Sequence, residues 1–208
     1  MAKLRFFYGA MKGGKSSILI PTAYNLRENN QRVMVVKPGI DSKGDNHIVS
    51  RNGSSLEVSL WINKNSSFFE DENLSLIFEA DSVLIDEVQF LTKEQIEELW
   101  IITKKLNVQV IGFGLKTNFK GELFDGSKRL LELADDICEM PIIPLCKCGN
   151  KARFNARMVN GKYTLDGDEL IIDGSSENIT YVPICGNCYL RDVILPNKNV
   201  KCLKLLDN

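Results

Sequence analysis

The chain has 208 residues, of which 44% are hydrophobic and 25% charged, and its 26 basic and 27 acidic side chains give a net charge of -1. A chain of this size buries a core without disulfides and has room for one α/β domain with a small appendage. The missing basic surplus argues against a polynucleotide gripped through its phosphates, and no apolar run is long enough to span a bilayer.

The first residues, MAKLRFFYGAMKGG, lack a signal-like apolar region and cleavage site, so a cytoplasmic location is expected. In that reducing compartment the six cysteines read as metal ligands or buried thiols rather than disulfides. Residues 4–8 form an apolar run ending at glycine, the pattern of a buried strand. Residues 16–28 follow as a helix, with a kink expected at Pro21 because proline lacks the donor and crowds the carbonyl of Ser17. Residues 33–36 give a second buried strand, closed by Lys37-Pro38-Gly39. The polar stretch 40–55, rich in Gly, Ser, Asn and Asp, reads as a mobile loop.

Residues 66–80 carry a weak helical pattern, and 83–85 form a third buried strand tipped by Asp86 and Glu87. Thr92 and Gln95 make a capping box for a helix ending near residue 106. A fourth strand over 108–113, a helix over 127–134 and a short strand over 137–140 complete the series. Such alternation predicts an α/β fold: a mostly parallel sheet with helices on both faces. After Pro141 the helices give way to short segments with turns at Asn160-Gly161, Asp166-Gly167 and Asp173-Gly174. The expected division is a first, larger domain over 1–140, a small second domain over 141–195 and a weakly ordered tail over 196–208.

The strongest motif is Gly9-Ala10-Met11-Lys12-Gly13-Gly14-Lys15-Ser16, a full G-x-x-x-x-G-K-[ST] match between a predicted strand and a predicted helix. Glycines let backbone N–H groups turn inward around phosphate oxygens, and the helix start adds partial positive charge. Lys15 then reaches the β- and γ-phosphates, and Ser16 ligates Mg²⁺. The motif announces nucleotide binding, makes the expected α/β fold one of the P-loop, RecA-like kind, and leaves the reaction open.

Asp86 and Glu87 sit at a strand tip, where neighbours point to opposite faces. Asp86 is expected to orient the metal, and Glu87 to take a proton from an attacking hydroxyl. A hydrolase in which Glu87 activates water fits the same residues, as does a pair of solvated acids. Cys146 with Cys148, and Cys185 with Cys188, are two close pairs carrying glycine for tight turns. Four thiolates suit a closed, structural Zn²⁺ site that staples the ends of segment 149–184. Cys138 and Cys202 lie outside the pattern and read as buried thiols or bystanders.

Several motifs occur in order: GAMKGGKSS over 9–17, Ser50-Arg51-Asn52, Asp86-Glu87-Val88-Gln89-Phe90, GLKTNFKGELF over 114–124, the Cys146/Cys148 pair, and Tyr181 ahead of Cys185-Gly186-Asn187-Cys188. Over residues 3–195 the chain thereby resembles the thymidine kinase family of the cellular, zinc-containing type. The resemblance implies transfer of the γ-phosphate of ATP to the 5′-hydroxyl of thymidine, and of deoxyuridine, in pyrimidine deoxynucleoside salvage for DNA synthesis. It makes Glu87 the catalytic base, extends the nucleotide site through Ser17, and places Arg51 near the transferring phosphoryl. Met11, Phe90, Leu115, Phe119, Phe124 and Tyr181 match positions that enclose the nucleoside. Ile171, Ile172, Asp173 and Gly174 fall in a lasso whose backbone meets the pyrimidine edge. A homotetramer inhibited by the end product dTTP is also implied.

Without the family, the three phenylalanines read as core aromatics, and Arg51 and His47 as solvated loop residues. Ser50 and Lys116 follow the bacterial branch and leave open which second carboxylate, if any, helps hold Mg²⁺. Two rivals make other predictions: a polynucleotide-stimulated ATPase with a zinc ribbon, and a non-catalytic nucleotide switch. Residues 141–195 carry no marked basic surplus to favour the first.

Overall fold

Apolar runs buried on both faces decide the architecture. In the computed structural model, which describes residues 1–39, 46–142, 144–167 and 178–197, the elements run β1 Leu4–Tyr8, α1 Lys15–Glu28, β2 Val33–Pro38, β3 His47–Val49, β4 Ser55–Glu57, β5 Leu60–Ile62, α2 Asp71–Glu79 and β6 Ser82–Ile85. A 3-10 turn, Val88–Phe90, leads into α3 Lys93–Leu106, β7 Gln109–Gly114, α4 Asp125–Leu133 and β8 Asp136–Glu139. The chain continues with β9 Phe154–Val159, β10 Lys162–Thr164, β11 Ile179–Ile184 and α5 Gly186–Tyr189, followed by further helical turns to Asn197. The Asp173-Gly174 turn, the lasso positions Ile171 to Gly174, Cys202 and the tail beyond residue 197 lie outside the described residues.

The described residues fall into two units. The first comprises residues 1–9, 13–116 and 123–142; the second comprises 10–12, 117–122 and those beyond 142. In the first, six strands lie in the order β5-β2-β6-β7-β1-β8. Every neighbouring pair is parallel, as long crossover connections allow.

Alternate residues of each strand feed two separate cores. Leu4, Phe6, Met34, Val36, Val83, Ile85 and Val110 face one core, completed by Ile77 of α2, Ile96 and Leu99 of α3, and Leu130 of α4. Val35, Leu84, Ile111 and Phe113 face the other, completed by Leu19, Ile20 and Ala23 of α1. Strands buried on both faces read as continuous apolar runs, which is why they were visible in the sequence. α1 runs on through Pro21, whose ring stands on its exposed side. The Thr92–Gln95 capping box is present in full at the start of α3.

The predicted loop over 40–55 requires correction. His47–Val49 and Ser55–Glu57 pair antiparallel, and Ile48 and Leu56 are buried in the α1 core. Each strand has three residues and points one apolar side chain inward, so the segment keeps a loop-like composition.

The second unit is a three-stranded antiparallel sheet, β10-β9-β11. Asn160 and Gly161 both have positive φ, 50° and 78°, the backbone of a tight hairpin turn matched to strand twist. Its core gathers Ala152, Ala156, Ile184, Tyr189 and Val193 around three of the paired cysteines.

Candidate active site and cysteine centre

The phosphate loop leaves β1 at Tyr8, and the Gly9 N–H donates to the Gly114 carbonyl at the end of β7 (3.2 Å). Lys12 and Gly14 have φ of 66° and 71°, a left-handed backbone that turns N–H groups to the inner side of a loop. Gly14 precedes α1, which has no side-chain cap and no acidic residue in its first turn. Its first N–H groups are therefore unspent, and with the helix dipole they suit an anion. Lys15 is buried, and Ser17 lies in the same first turn.

β6 delivers the two acids. Asp86 is buried and its Oδ2 accepts from the Ser16 hydroxyl at 3.4 Å, while Oδ1 has no hydrogen-bond partner among the described residues. Burial, and then the neighbouring Glu87 charge, pushes the Asp86 carboxyl up to about 7 against the pull of Lys15 and Lys37. A buried carboxylate oxygen without a donor, beside a serine hydroxyl, suits a hard divalent cation, which would favour its ionised form.

Glu87 stands at the strand tip with φ 50°, ψ 41°. Its Oε2 accepts from the Gln89 amide at 2.6 Å. Gln89 is buried, and its own carbonyl accepts the Leu115 N–H at 2.9 Å. The Ser127 hydroxyl donates to the Leu115 carbonyl at 2.6 Å, so Leu115 is gripped on both sides. Phe90 and Phe124 meet edge to face with ring centres 5.7 Å apart.

These contacts bring Glu87, Phe90, Leu115 and Phe124 together within the first unit. Gly126 makes the arrangement possible, because a Cβ there would lie 2.6 Å from the Leu91 carbonyl and 2.9 Å from that of Val88. Gly126→Ala is expected to cost about 1–3 kcal/mol through overpacking. A lower denaturation midpoint at unchanged slope would report that loss.

Arg51 lies exposed in the turn between β3 and β4, and it makes no hydrogen bond or ion pair among the described residues. The turn is held from within: Ser50 Oγ bonds the Asn52 side chain and donates to the Ser54 carbonyl.

In the second unit the sulfurs of Cys146, Cys148, Cys185 and Cys188 all lie within 4.8 Å of one another. None of them is in a disulfide. Tetrahedral Zn–S bonds of ~2.3 Å would place sulfurs ~3.8 Å apart, so the set fits zinc. The Asn150 backbone N–H, then the Cys185 and Cys188 thiols, bring Cys148 down to about 6, while hydrogen bonding to Cys148 and Cys185 pushes Cys188 up to about 12. A divalent cation bound there would displace the remaining thiol protons.

A family model described as Thymidine kinase matches residues 2–189. A thymidine kinase of Legionella pneumophila (strain Lens) is 39% identical over 194 residues, covering 92% of this chain and 90% of that protein. The chain belongs to the thymidine kinase family. A thymidine kinase of Mannheimia succiniciproducens is 40% identical over 188 residues, 89% of this chain and 93% of that protein. One of Photobacterium profundum is 37% identical over 191 residues, 91% and 97% respectively. Among solved structures, AMPPCP-bound DnaA from Aquifex aeolicus is similar at a TM-score of 0.41 and 19% identity over 67% of this chain and 41% of that one, too distant to inform the reaction.

In this thymidine kinase family member the remaining predicted positions, Met11, Phe119 and Tyr181, belong to the second unit. The Met11 N–H donates to the Asn155 side chain at 2.8 Å. Phe119 is buried, its ring meeting Tyr181 at 6.3 Å and its carbonyl accepting from the Tyr189 hydroxyl at 2.7 Å. Sequence reasoning missed Gln89, Asn155, Arg157 and Tyr189. Gln89 stood inside a quoted motif; the other three carried no local signal, because their partners are far away in the chain.

Proposed function

We propose that the chain transfers the γ-phosphate of ATP to the 5′-hydroxyl of thymidine, and of deoxyuridine, giving ADP and the nucleoside monophosphate in pyrimidine salvage. One observation carries this reading. β6 sets Asp86 against the phosphate-loop serine and, one residue on, sets Glu87 in the grip of a buried amide. A metal-holding acid beside an immobilised base is what phosphoryl transfer to an alcohol needs.

Glu87 accepts the 5′-proton as that oxygen forms its bond to the γ-phosphorus, and the bond to the bridging oxygen breaks with its electrons leaving on ADP. Lys15 and the N–H groups from Gly9 to Ser17 hold the phosphate oxygens, and Arg51 supplies a cation to the developing charge. Ser16 and Asp86 would hold Mg²⁺, which neutralises phosphate charge. The four cysteines would hold a closed, structural zinc.

Phe90, Leu115 and Phe124 in the first unit and Met11, Phe119 and Tyr181 in the second are the side chains offered to the nucleoside. Ile171, Ile172, Asp173 and Gly174 join them on the strength of the resemblance. We further propose a cytoplasmic homotetramer that dTTP inhibits as end product, with no membrane or nucleic-acid partner. Sedimentation and a dTTP titration test those two properties.

The reaction itself is tested with labelled ATP offered thymidine, deoxycytidine or single-stranded DNA. Labelled monophosphate with thymidine supports it. ADP release stimulated by DNA without a nucleoside product would favour the polynucleotide-dependent ATPase instead.

A further inference from the structure

Arg157, on β9, heads the largest fully buried side chains among the described residues, at 1% exposed. Its Nε and Nη2 donate to the Tyr181 phenol oxygen at 2.9 and 2.7 Å, and Nη1 donates to the Asp166 carbonyl at 3.1 Å. The guanidinium carbon lies 3.7 Å from the centre of the Phe119 ring and 5.4 Å from that of Tyr181. A Cβ at Gly167 would approach Nη1 to 2.8 Å, so the glycine leaves the fork its room.

Burying a guanidinium is costly unless its N–H groups are satisfied. An apolar side chain would fill the same volume more cheaply, so the retained charge points to a geometric task. The planar fork fixes the Tyr181 oxygen from one side, while the guanidinium lies on Phe119 and restrains that ring. A phenol oxygen that accepts two N–H bonds has spent its lone pairs, which leaves its O–H for donation only.

We propose that Arg157 is a positioning residue for the nucleoside: it locks Phe119 and Tyr181 in the orientation that receives the pyrimidine, and keeps the Tyr181 hydroxyl a donor. The inference rests on the reading above that Phe119 and Tyr181 contact the nucleoside. It adds to that reading the residue that makes those rings a rigid platform.

The test uses the zinc-loaded full chain carrying Arg157→Lys, which keeps the charge and loses the fork. The thymidine KM is expected to rise about ten- to a hundredfold, with kcat and the ATP KM within about threefold. Tyr181→Phe should raise the thymidine KM as well, and the double variant should be no worse than Arg157→Lys alone, because both changes remove one interaction. Additive effects, or a parental KM in Arg157→Lys while Phe119→Leu raises it, would overturn the role given to Arg157. A parental KM in Phe119→Leu and Tyr181→Phe alike would overturn the nucleoside reading beneath it. Should Arg157→Lys fail to retain zinc, Arg157→Gln in the zinc-loaded chain takes its place: a raised thymidine KM with kcat held supports the platform, and a parental KM removes it.

Discussion

Replacing Glu87 with glutamine is expected to lower kcat for thymidine phosphorylation by about 10²–10⁴-fold while thymidine affinity holds within about twofold. The substitution is nearly isosteric, and the new amide oxygen can still accept from the Gln89 side chain that now reaches Glu87 at 2.6 Å. What is lost is the ability to take a proton. Steady-state rates with equilibrium nucleoside binding would separate the two quantities, and full activity in the variant would remove Glu87 from the chemistry.

The backbone adds an independent check. Glu87 sits at φ 50°, a left-handed conformation that costs a residue with a Cβ about 1 kcal/mol or more. Glu87→Gly should therefore fold at least as stably as the parent and still be inactive. That combination would mark the strain as held for function.

The second large effect concerns the cysteines. Cys185→Ser, or prolonged chelation of the parent, is expected to abolish zinc binding and unfold the second unit. The apolar core there is small, with Ala152, Ala156, Ile184 and Val193 among its members and the cysteines as part of it. Structural zinc contributes about 10–16 kcal/mol in small zinc-binding peptides, as much as the whole stability of an ordinary domain. The first unit has a core on each face of its sheet and should keep its helical circular dichroism. Metal analysis, protease cleavage confined to residues 10–12, 117–122 and those beyond 142, and recovery on adding zinc would report this. A metal-free variant resistant to protease would contradict it.

How much of this was legible depended on where partners lie in the chain. The phosphate loop, the Asp86-Glu87 strand tip and the two cysteine pairs are contiguous runs, so local spacing disclosed them. The buried strands were legible because both of their faces are apolar. β3 and β4 were not, since Ile48 and Leu56 are single inward residues in polar surroundings.

Gln89 reaches Leu115 across 26 residues, and Tyr189 reaches Phe119 across 70. No window of sequence contains either bond. Arg157 is met by Phe119, Tyr181 and Asp166, none of them adjacent to it in the chain. In the same way, residues 10–12 and 117–122 group with the cysteine-bearing unit, which chain order does not announce.

The most direct test is a product assay on the metal-replete chain given Mg-ATP and thymidine, with nucleotides separated by chromatography. Thymidine 5′-monophosphate and ADP should accumulate in equal amounts. ADP without thymidine monophosphate, or no turnover at all, would mean that the alcohol is not the acceptor and that Glu87 serves some other end.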